Sequence, residues 1–352
     1  MRVAWADYGI ERAGGPGGIQ HCQGRGYSNI CRRFREGLEL ALGPDFRVID
    51  SHFQSDGTGL VLHLCPSDIF APIPGERNVL FSMWEAQELP AADAANMLRA
   101  DAWLVPSVYC QRVWHRHGAR ASVVPLGVSD AFMRGDIARP QMPRTLRFLW
   151  IGSDQRRKGW QLIGPAWMAA FANGEDVALT IKCIGDGSTE SHYGGRVVID
   201  RRDLSEDALA ALYREHDVFV FPSYGEGFGL PVLEAMASGC LVVAPESSSL
   251  GQFVSDRTAV PIQRSRRAVI ECGVETRATV HGVDDLASAL RTAYEGWEWM
   301  DGRRQAAAKM ARAFTWASAS LKLRVALDKI VYAGERVMIV PRPVQARAWV
   351  SP

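Results

Sequence analysis

The first third of the chain alternates short apolar runs with a stretch that has a helical repeat. Apolar runs occur in RVAWAD, FRVID, LVLHLC, NVLFSM, AWLVPS and ASVVPLG, and NICRRFREGLELAL has the spacing of an amphipathic helix. Strands that alternate with helices indicate parallel βαβ units, because each crossover helix covers one face of the sheet. The pattern therefore predicts a first doubly wound domain.

The same rhythm returns after a polar, proline-containing stretch at residues 129–144, which we interpret as a linker. The later strand-like runs are LRFLWIGS, ALTIKCIG, RVVID, DVFVFPS and CLVVAPE, and FTWASASLKLRVALDKIV predicts a long final helix. We expect an α/β protein with two Rossmann-like, doubly wound parallel-sheet domains that face each other across a cleft. The predicted units are an N-terminal Rossmann-like domain at 1–140, a C-terminal Rossmann-like domain at 141–315, and a helix and tail at 316–352.

Composition narrows the classes of function. The chain has 40 Lys plus Arg against 39 Asp plus Glu, which gives a net charge of +1. This balance argues against a protein whose main role is to bind nucleic acid or an acidic membrane. Its seven cysteines are odd in number and contain no C-x-x-C pair, so we interpret them as reduced structural thiols. The N-terminus begins directly in a strand pattern, without a charged leader or a long apolar segment. We therefore expect a cytoplasmic chain with no transmembrane segment.

The most informative segment is FVFPSYGEGFGLPVLEAMASG, residues 219–239. Pro231 fits the first turn of a helix, and Gly239 fits its C-terminal cap. Three glycines in the preceding turn allow a backbone to approach a ligand, and the helix start offers free N–H groups with a positive dipole end. This geometry suits a diphosphate. Glu226 in the turn and Glu234 on the helix are carboxylates suited to binding hydroxyls at either end of such a ligand.

The spacing E-x(7)-E after a strand that ends in P-S, with G-F-G-L-P between, resembles the retaining glycosyltransferases of the GT-B fold. These belong to the glycogen-synthase-like superfamily (glycosyltransferase family 4, or glycosyl transferases group 1 type). The likeness extends over most of the chain, including DAWLVPSVYCQRVWHRHGARASVVPLGVSDAF and DLSEDALAALYREHDVFVFPS. The resemblance implies that Glu226 binds hydroxyls of the donor sugar and that Glu234 binds the nucleotide ribose. The donor-binding backbone would then be that of Gly227, Phe228, Gly229 and Leu230.

A basic turn, RRKG, follows the first strand of the second domain. Lys158 matches the phosphate-binding lysine of the family, but Ser153 stands where the family carries an arginine. Cations here would offset the charge that develops on a leaving diphosphate. We predict Lys158 and Arg157, together with Glu226, as catalytic residues and Arg156 as donor-binding, with an ordinary basic surface turn as the alternative. By the same resemblance, the backbone of Leu204 contacts the base.

A glycine-rich loop, RAGGPGGIQHCQGRGYSN, follows the first strand and predicts a flexible segment over the donor or acceptor. Its candidates are Gly15 and Gly18, against the alternative of an ordinary surface loop. Near the fourth strand, Trp84 replaces a histidine that relatives often carry, and Glu85 is a candidate for orienting an acceptor hydroxyl. The alternative to an acceptor-binding role is that the tryptophan belongs to the core and the glutamate is simply exposed. Three arginines on the first helix are interpreted as a solvated face, with peripheral membrane contact as the alternative: Arg32, Arg33 and Arg35.

The predicted reaction is metal-independent transfer of a sugar from a nucleotide-diphosphate donor to an acceptor hydroxyl with retention. The leaving phosphate oxygen takes the acceptor proton on the same face, so the protein supplies positioning and electrostatics. No cofactor is expected beyond the nucleotide-sugar co-substrate. A sugar-nucleotide hydrolase or epimerase, or a non-catalytic nucleotide-sugar-binding module, is the alternative. The acceptor is open among glycan, lipid-linked sugar, metabolite and modified nucleic acid, and an insertion at 264–282 is interpreted as a flap or a contact surface.

Overall fold

The computed structural model describes both sheets, the glycine-rich bend of the second domain and the final helix. The described residues are 2–7, 25–50, 59–135, 137, 145–153, 155–172, 174–183, 186–263, 266–271 and 275–332. The candidates Gly15 and Gly18 lie outside them, as do the residues after 332.

The N-terminal domain is a parallel sheet with helices on its faces. Its described strands are β1 (Val3–Asp7), β2 (Phe46–Asp50), β3 (Leu60–Leu64), β4 (Arg77–Phe81), β5 (Ala102–Val105) and β6 (Ser122–Val123). They are ordered β2-β1-β3-β4-β5-β6, and every neighbouring pair is parallel. The helices are α1 (Arg25–Leu42), α2 (Ala91–Met97) and α3 (Val108–Arg116). All five residues of β3 are buried, as expected for a strand covered on both faces.

The second domain begins after a short helix, α4 (Asp130–Met133), which opens the predicted linker. Its described strands are β7 (Leu146–Ile151), β8 (Val177–Lys182), β9 (Thr189–His192), β10 (Val197–Asp200), β11 (Val218–Val220), β12 (Leu241–Ala244) and β13 (Val260–Pro261), and a separate hairpin contains β14 (Arg266–Glu271) and β15 (Glu275–Val280). The order is β13-β12-β11-β7-β8-β10-β9. The helices are α5 (Trp160–Ala170), α6 (Glu206–Arg214), α7 (Leu230–Ala237), α8 (Val283–Glu295), α9 (Asp301–Ala311) and α10 (Trp316–Tyr332).

Two parallel-sheet α/β domains confirm the predicted fold class. Two described elements depart from the expected pattern. β9 pairs antiparallel with β10, and all of its residues are exposed, so it lacks the apolar run that predicts a strand. The segment at 264–282 contains the antiparallel hairpin β14–β15, whose Ala278 and Val280 are buried against the second domain.

The final helix packs against the N-terminal domain. The rings of Phe34 on α1 and Trp316 on α10 meet edge to face with centroids 5.4 Å apart, and Arg324 donates to the carbonyl of Ala41 at 3.1 Å. Within the described residues, the chain therefore returns to the N-terminal domain after the second domain. In the described residues, no helix combines the length and apolar character needed to cross a membrane.

Candidate functional site

The bend between β11 and α7 has the backbone geometry of an anion-binding site. Gly229 precedes the helix with φ 97°, in the left-handed region that glycine adopts without steric cost. A side chain there would also be excluded, because an added Cβ would lie 2.4 Å from Cδ2 of Leu250. Within the described residues, the amides from Gly227 to Leu230 donate no hydrogen bond. Free amides at the start of a helix are a favourable place for a phosphate.

The bend lies directly against the N-terminal domain. An added Cβ on Gly225 would sit 2.1 Å from the carbonyl oxygen of Glu85, and one on Gly227 would sit 2.9 Å from Cβ of Met83. A side chain at Gly225 would collide with the backbone of the N-terminal domain, and one at Gly227 would collide with the Met83 side chain, so glycine permits the close approach at both positions. The bend therefore forms part of the interface between the domains.

Glu226 is the centre of a buried charged cluster. Its side chain is 8% exposed, and Oε1 accepts hydrogen bonds from Lys158 Nζ at 2.7 Å and Arg157 Nη1 at 3.0 Å. The hydroxyl of Ser223 donates to the same oxygen at 2.6 Å, and the Glu226 amide donates to Ser248 Oγ at 3.1 Å. Three of the predicted catalytic residues are thus in direct contact.

The cluster sets the charge of its members. Burial alone would raise the pKa of the Glu226 carboxyl, but Lys158 and Arg157 hold it below its ordinary value. Burial lowers the pKa of Lys158, and the Glu226 carboxylate opposes that effect. Glu226 therefore stays ionised and helps to keep the lysine protonated, because each charge is desolvated and stabilised by the other.

The turn after β7 separates the two arginines. Arg157 points inward, donating to the carbonyl of Gly225 at 2.6 Å, and its Nη2 lies 3.6 Å from Oε1 of Glu85. Arg156 is exposed and does not contact Glu226. The 3-10 turn of Arg156–Lys158 ends at Gly159 with φ 69°, and it places Arg157 and Lys158 on Glu226 while Arg156 stays exposed.

Glu234 is the second acid of the motif and lies on α7. Its Oε2 accepts a hydrogen bond from the hydroxyl of Tyr213 at 3.3 Å. Burial raises the pKa of Glu234 to about 7, while the Tyr213 hydrogen bond acts in the opposite direction. Leu204 precedes α6, and its side chain packs against the core.

The acceptor-side candidates lie on the loop after β4. Trp84 donates its indole N–H to the carbonyl of Glu88 at 2.7 Å, so its polar atom is used within the loop. Glu85 faces Arg157 across the domain interface. Gln87 on the same loop donates to Oγ1 of Thr279 at 3.4 Å, which brings the hairpin β14–β15 against the N-terminal domain.

Sequence reasoning missed several residues that support the cluster. Ser223 and Tyr213 contact the two acids of the motif, and Ser248 has φ 52°, unusual for a residue other than glycine. Arg33 was interpreted as solvated, but it is half-buried and reaches Glu206 of the second domain at 2.6 Å. The dipeptide Pro222–Ser223 after β11 belongs to the sequence motif, but the hydrogen bond from Ser223 to Glu226, like the other contacts, depends on the folded path of the chain. In the part of the chain described, no group of three or more His, Cys, Asp or Glu side chains is placed to hold a metal ion.

Comparisons with curated proteins are consistent with this geometry. Residues 145–292 match the family model described as "Glycosyl transferases group 1". The D-inositol 3-phosphate glycosyltransferase of Paenarthrobacter aurescens (strain TC1) is 28% identical over 213 residues, which are 56% of this chain and 48% of that protein. The O-antigen chain mannosyltransferase B of Escherichia coli is 45% identical over 53 residues, 15% of this chain and 14% of that protein. The chain spans about half the length of the first of these relatives.

Solved structures share the fold over nearly the whole chain. Sucrose-phosphate synthase from Thermosynechococcus elongatus has a TM-score of 0.66 at 17% identity and covers 95% of this chain and 100% of its own. Anabaena HepE in complex with UDP and glucose has a TM-score of 0.65 at 12% identity and covers 94% of this chain and 100% of its own. At these identities the likeness concerns the fold alone.

Proposed function

We propose that this protein transfers a sugar from a nucleoside diphosphate to an acceptor hydroxyl. The premise is that residues 145–292 are a glycosyl transferases group 1 domain in a chain with the GT-B fold. The observation that carries the proposal is the Lys158–Glu226–Arg157 cluster beside the free amides of the bend. Positive charge and unsatisfied N–H groups converge there, as the leaving group of such a reaction requires.

The donor diphosphate binds along the bend in this proposal. The amides of Phe228 to Leu230 and the start of α7 hold its distal phosphate, and Lys158 and Arg157 reach its oxygens. Within the described residues, Oε2 of Glu226 accepts no hydrogen bond, so this oxygen is available to a hydroxyl of the donor sugar. Glu234 binds the ribose, and the backbone at Leu204 contacts the base.

The reaction proceeds by departure of the diphosphate, with its negative charge balanced by Lys158, Arg157 and the helix start. These groups make a bound metal unnecessary for charge balance. The acceptor approaches from the N-terminal domain, where Glu85 orients its hydroxyl, and the leaving phosphate oxygen takes its proton. Attack on the face that the diphosphate leaves retains the anomeric configuration, and each well-placed charge contributes on the order of 100-fold to turnover.

Product analysis tests this proposal against its alternatives. The protein is incubated with labelled nucleoside diphosphate sugars, a mixture of candidate acceptors, and either EDTA or Mg²⁺. We expect a new glycoside whose anomeric configuration matches the donor, formed equally in both arms. Free sugar would indicate a hydrolase and an isomerised donor an epimerase, while binding without conversion would indicate a non-catalytic module.

A further inference from the structure

A serine of the N-terminal domain contacts the donor-binding bend of the second domain. Ser107 is fully buried at the start of α3, and its hydroxyl donates to the carbonyl oxygen of Gly227 at 2.7 Å. The same hydroxyl oxygen accepts the amide of Cys110 at 3.1 Å, so it also caps the helix. The Cys110 thiol lies 3.2 Å from the Gly227 carbonyl oxygen and 3.4 Å from that of Trp84, and burial raises the pKa of that thiol to about 12, which keeps its proton in place.

This contact determines the direction of a neighbouring amide. The Gly227 carbonyl and the Phe228 N–H belong to one planar trans peptide, in which the two groups point in opposite directions. A carbonyl held by α3 therefore directs the Phe228 N–H away from α3. That amide is one of those that donate to no acceptor within the described residues. Gly227 has no Cβ and would otherwise leave this peptide a wider range of orientations than another residue would.

We propose that Ser107 is a positioning residue, which orients the Phe228 amide toward the distal phosphate of the donor only when the two domains are in contact. The inference rests on the proposed function of the bend. It adds that the anion-binding geometry is completed from the other domain, so donor affinity is coupled to closure of the cleft. The absence of a side chain at Gly227, where an added Cβ would lie 2.9 Å from Met83, is what permits this approach.

The test separates the hydroxyl's two roles. Glycine is an acceptable helix N-cap that is only slightly less favourable than serine, so Ser107→Gly keeps the start of α3 while removing the donor. Ser107→Thr keeps both the cap and the donor. Calorimetric titration compares UDP, GDP and ADP with UMP, GMP and AMP, because a monophosphate lacks the phosphate that the Phe228 amide is proposed to hold.

We expect Ser107→Gly to weaken binding of the diphosphate by about tenfold, the effect of losing one hydrogen bond to a charged group. Monophosphate binding should change less than about twofold, and Ser107→Thr should bind the diphosphate within about threefold of the unaltered protein. Equal diphosphate affinity in Ser107→Gly and the unaltered protein would overturn the inference while leaving the proposed function intact. So would equal losses for the two ligands, or a threonine variant as weak as the glycine variant.

The proposed function fails separately if the unaltered protein binds none of the three diphosphates. If Ser107→Gly does not fold, Ser107→Ala carries the same comparison, because it also removes the hydroxyl that donates to the Gly227 carbonyl. We expect this variant to weaken diphosphate binding by about tenfold with monophosphate affinity unchanged. An unchanged diphosphate affinity in that variant would contradict the inference.

Discussion

Replacing Lys158 with methionine removes one positive charge from the cluster while keeping a side chain of similar length. The ammonium lies 2.7 Å from Glu226 and 5.2 Å from the centre of the Phe221 ring. A methionine thioether fills the same space beside that ring, so packing is preserved. Glu226 keeps its hydrogen bonds from Arg157 and Ser223 and is therefore not left as an isolated buried charge.

The effect on turnover should greatly exceed the effect on folding. Loss of one charged hydrogen bond costs roughly 1.5–3 kcal/mol of stability, and part of that is recovered by the remaining partners of Glu226. Loss of one electrostatic group at the leaving phosphate costs on the order of 100-fold in kcat, which is about 2.7 kcal/mol in the barrier. The variant should therefore be folded at the assay temperature and nearly inactive.

The assay is release of nucleoside diphosphate at saturating donor, with circular dichroism to confirm that the variant is folded. Lys309→Met is the matched control, because Lys309 is an exposed lysine on α9 and the substitution is the same. It should retain turnover within about twofold, since surface substitutions have small effects. If Lys158→Met also kept kcat within about threefold, its charge would not stabilise the leaving group, and the proposed mechanism would be wrong.

Other expected outcomes concern charge and close packing around the bend. The pKa of Glu234 is raised to about 7 from an ordinary 4.5, so the ionised carboxylate destabilises the fold progressively between pH 4.5 and 7 and fully above pH 7. Glu234→Gln should therefore raise Tm by roughly 2–4 °C at pH 8, and the difference should narrow toward pH 5. Gly225→Ala should lower Tm and weaken donor binding at least about tenfold by calorimetry, because its Cβ would collide with the Glu85 carbonyl 2.1 Å away. Arg33→Ala should widen the interdomain distance distribution measured by spin labels, since Arg33 bridges to Glu206, and the change should be absent in Arg99→Ala, an exposed arginine within the N-terminal domain.

The bend was predictable because its signals are local. Gly229 requires a left-handed backbone, Pro231 suits the first turn of a helix, and the apolar run before them forms β11, so each residue favours the same conformation. The strands of both sheets were predictable for the same reason, since buried parallel strands are continuous apolar runs. The exposed edge strand β9 gave no such signal.

The individual contacts within the site could not be predicted from local sequence. RRKG contains three adjacent cations, and only the three-dimensional path of the turn places Arg157 and Lys158 on Glu226 while leaving Arg156 exposed. The contact of Ser107 with Gly227 joins residues 120 positions apart, which no local pattern reports. The contact of the hairpin β14–β15 with Gln87 could not be predicted from local sequence either, because it is made across the domain interface.

The central claim is that the bend before α7 holds the donor diphosphate, and a crystal structure of the complex tests it most directly. The ligand is the nucleoside diphosphate that gives the largest thermal shift, since at equal concentration a ligand that binds more tightly stabilises the fold more. The account predicts a distal phosphate within hydrogen-bond distance of the Phe228 to Leu230 amides and of Lys158 Nζ. A nucleotide seated elsewhere, such as the 350 Å³ cavity beside Arg147 and Arg202, with the bend unoccupied, would contradict it.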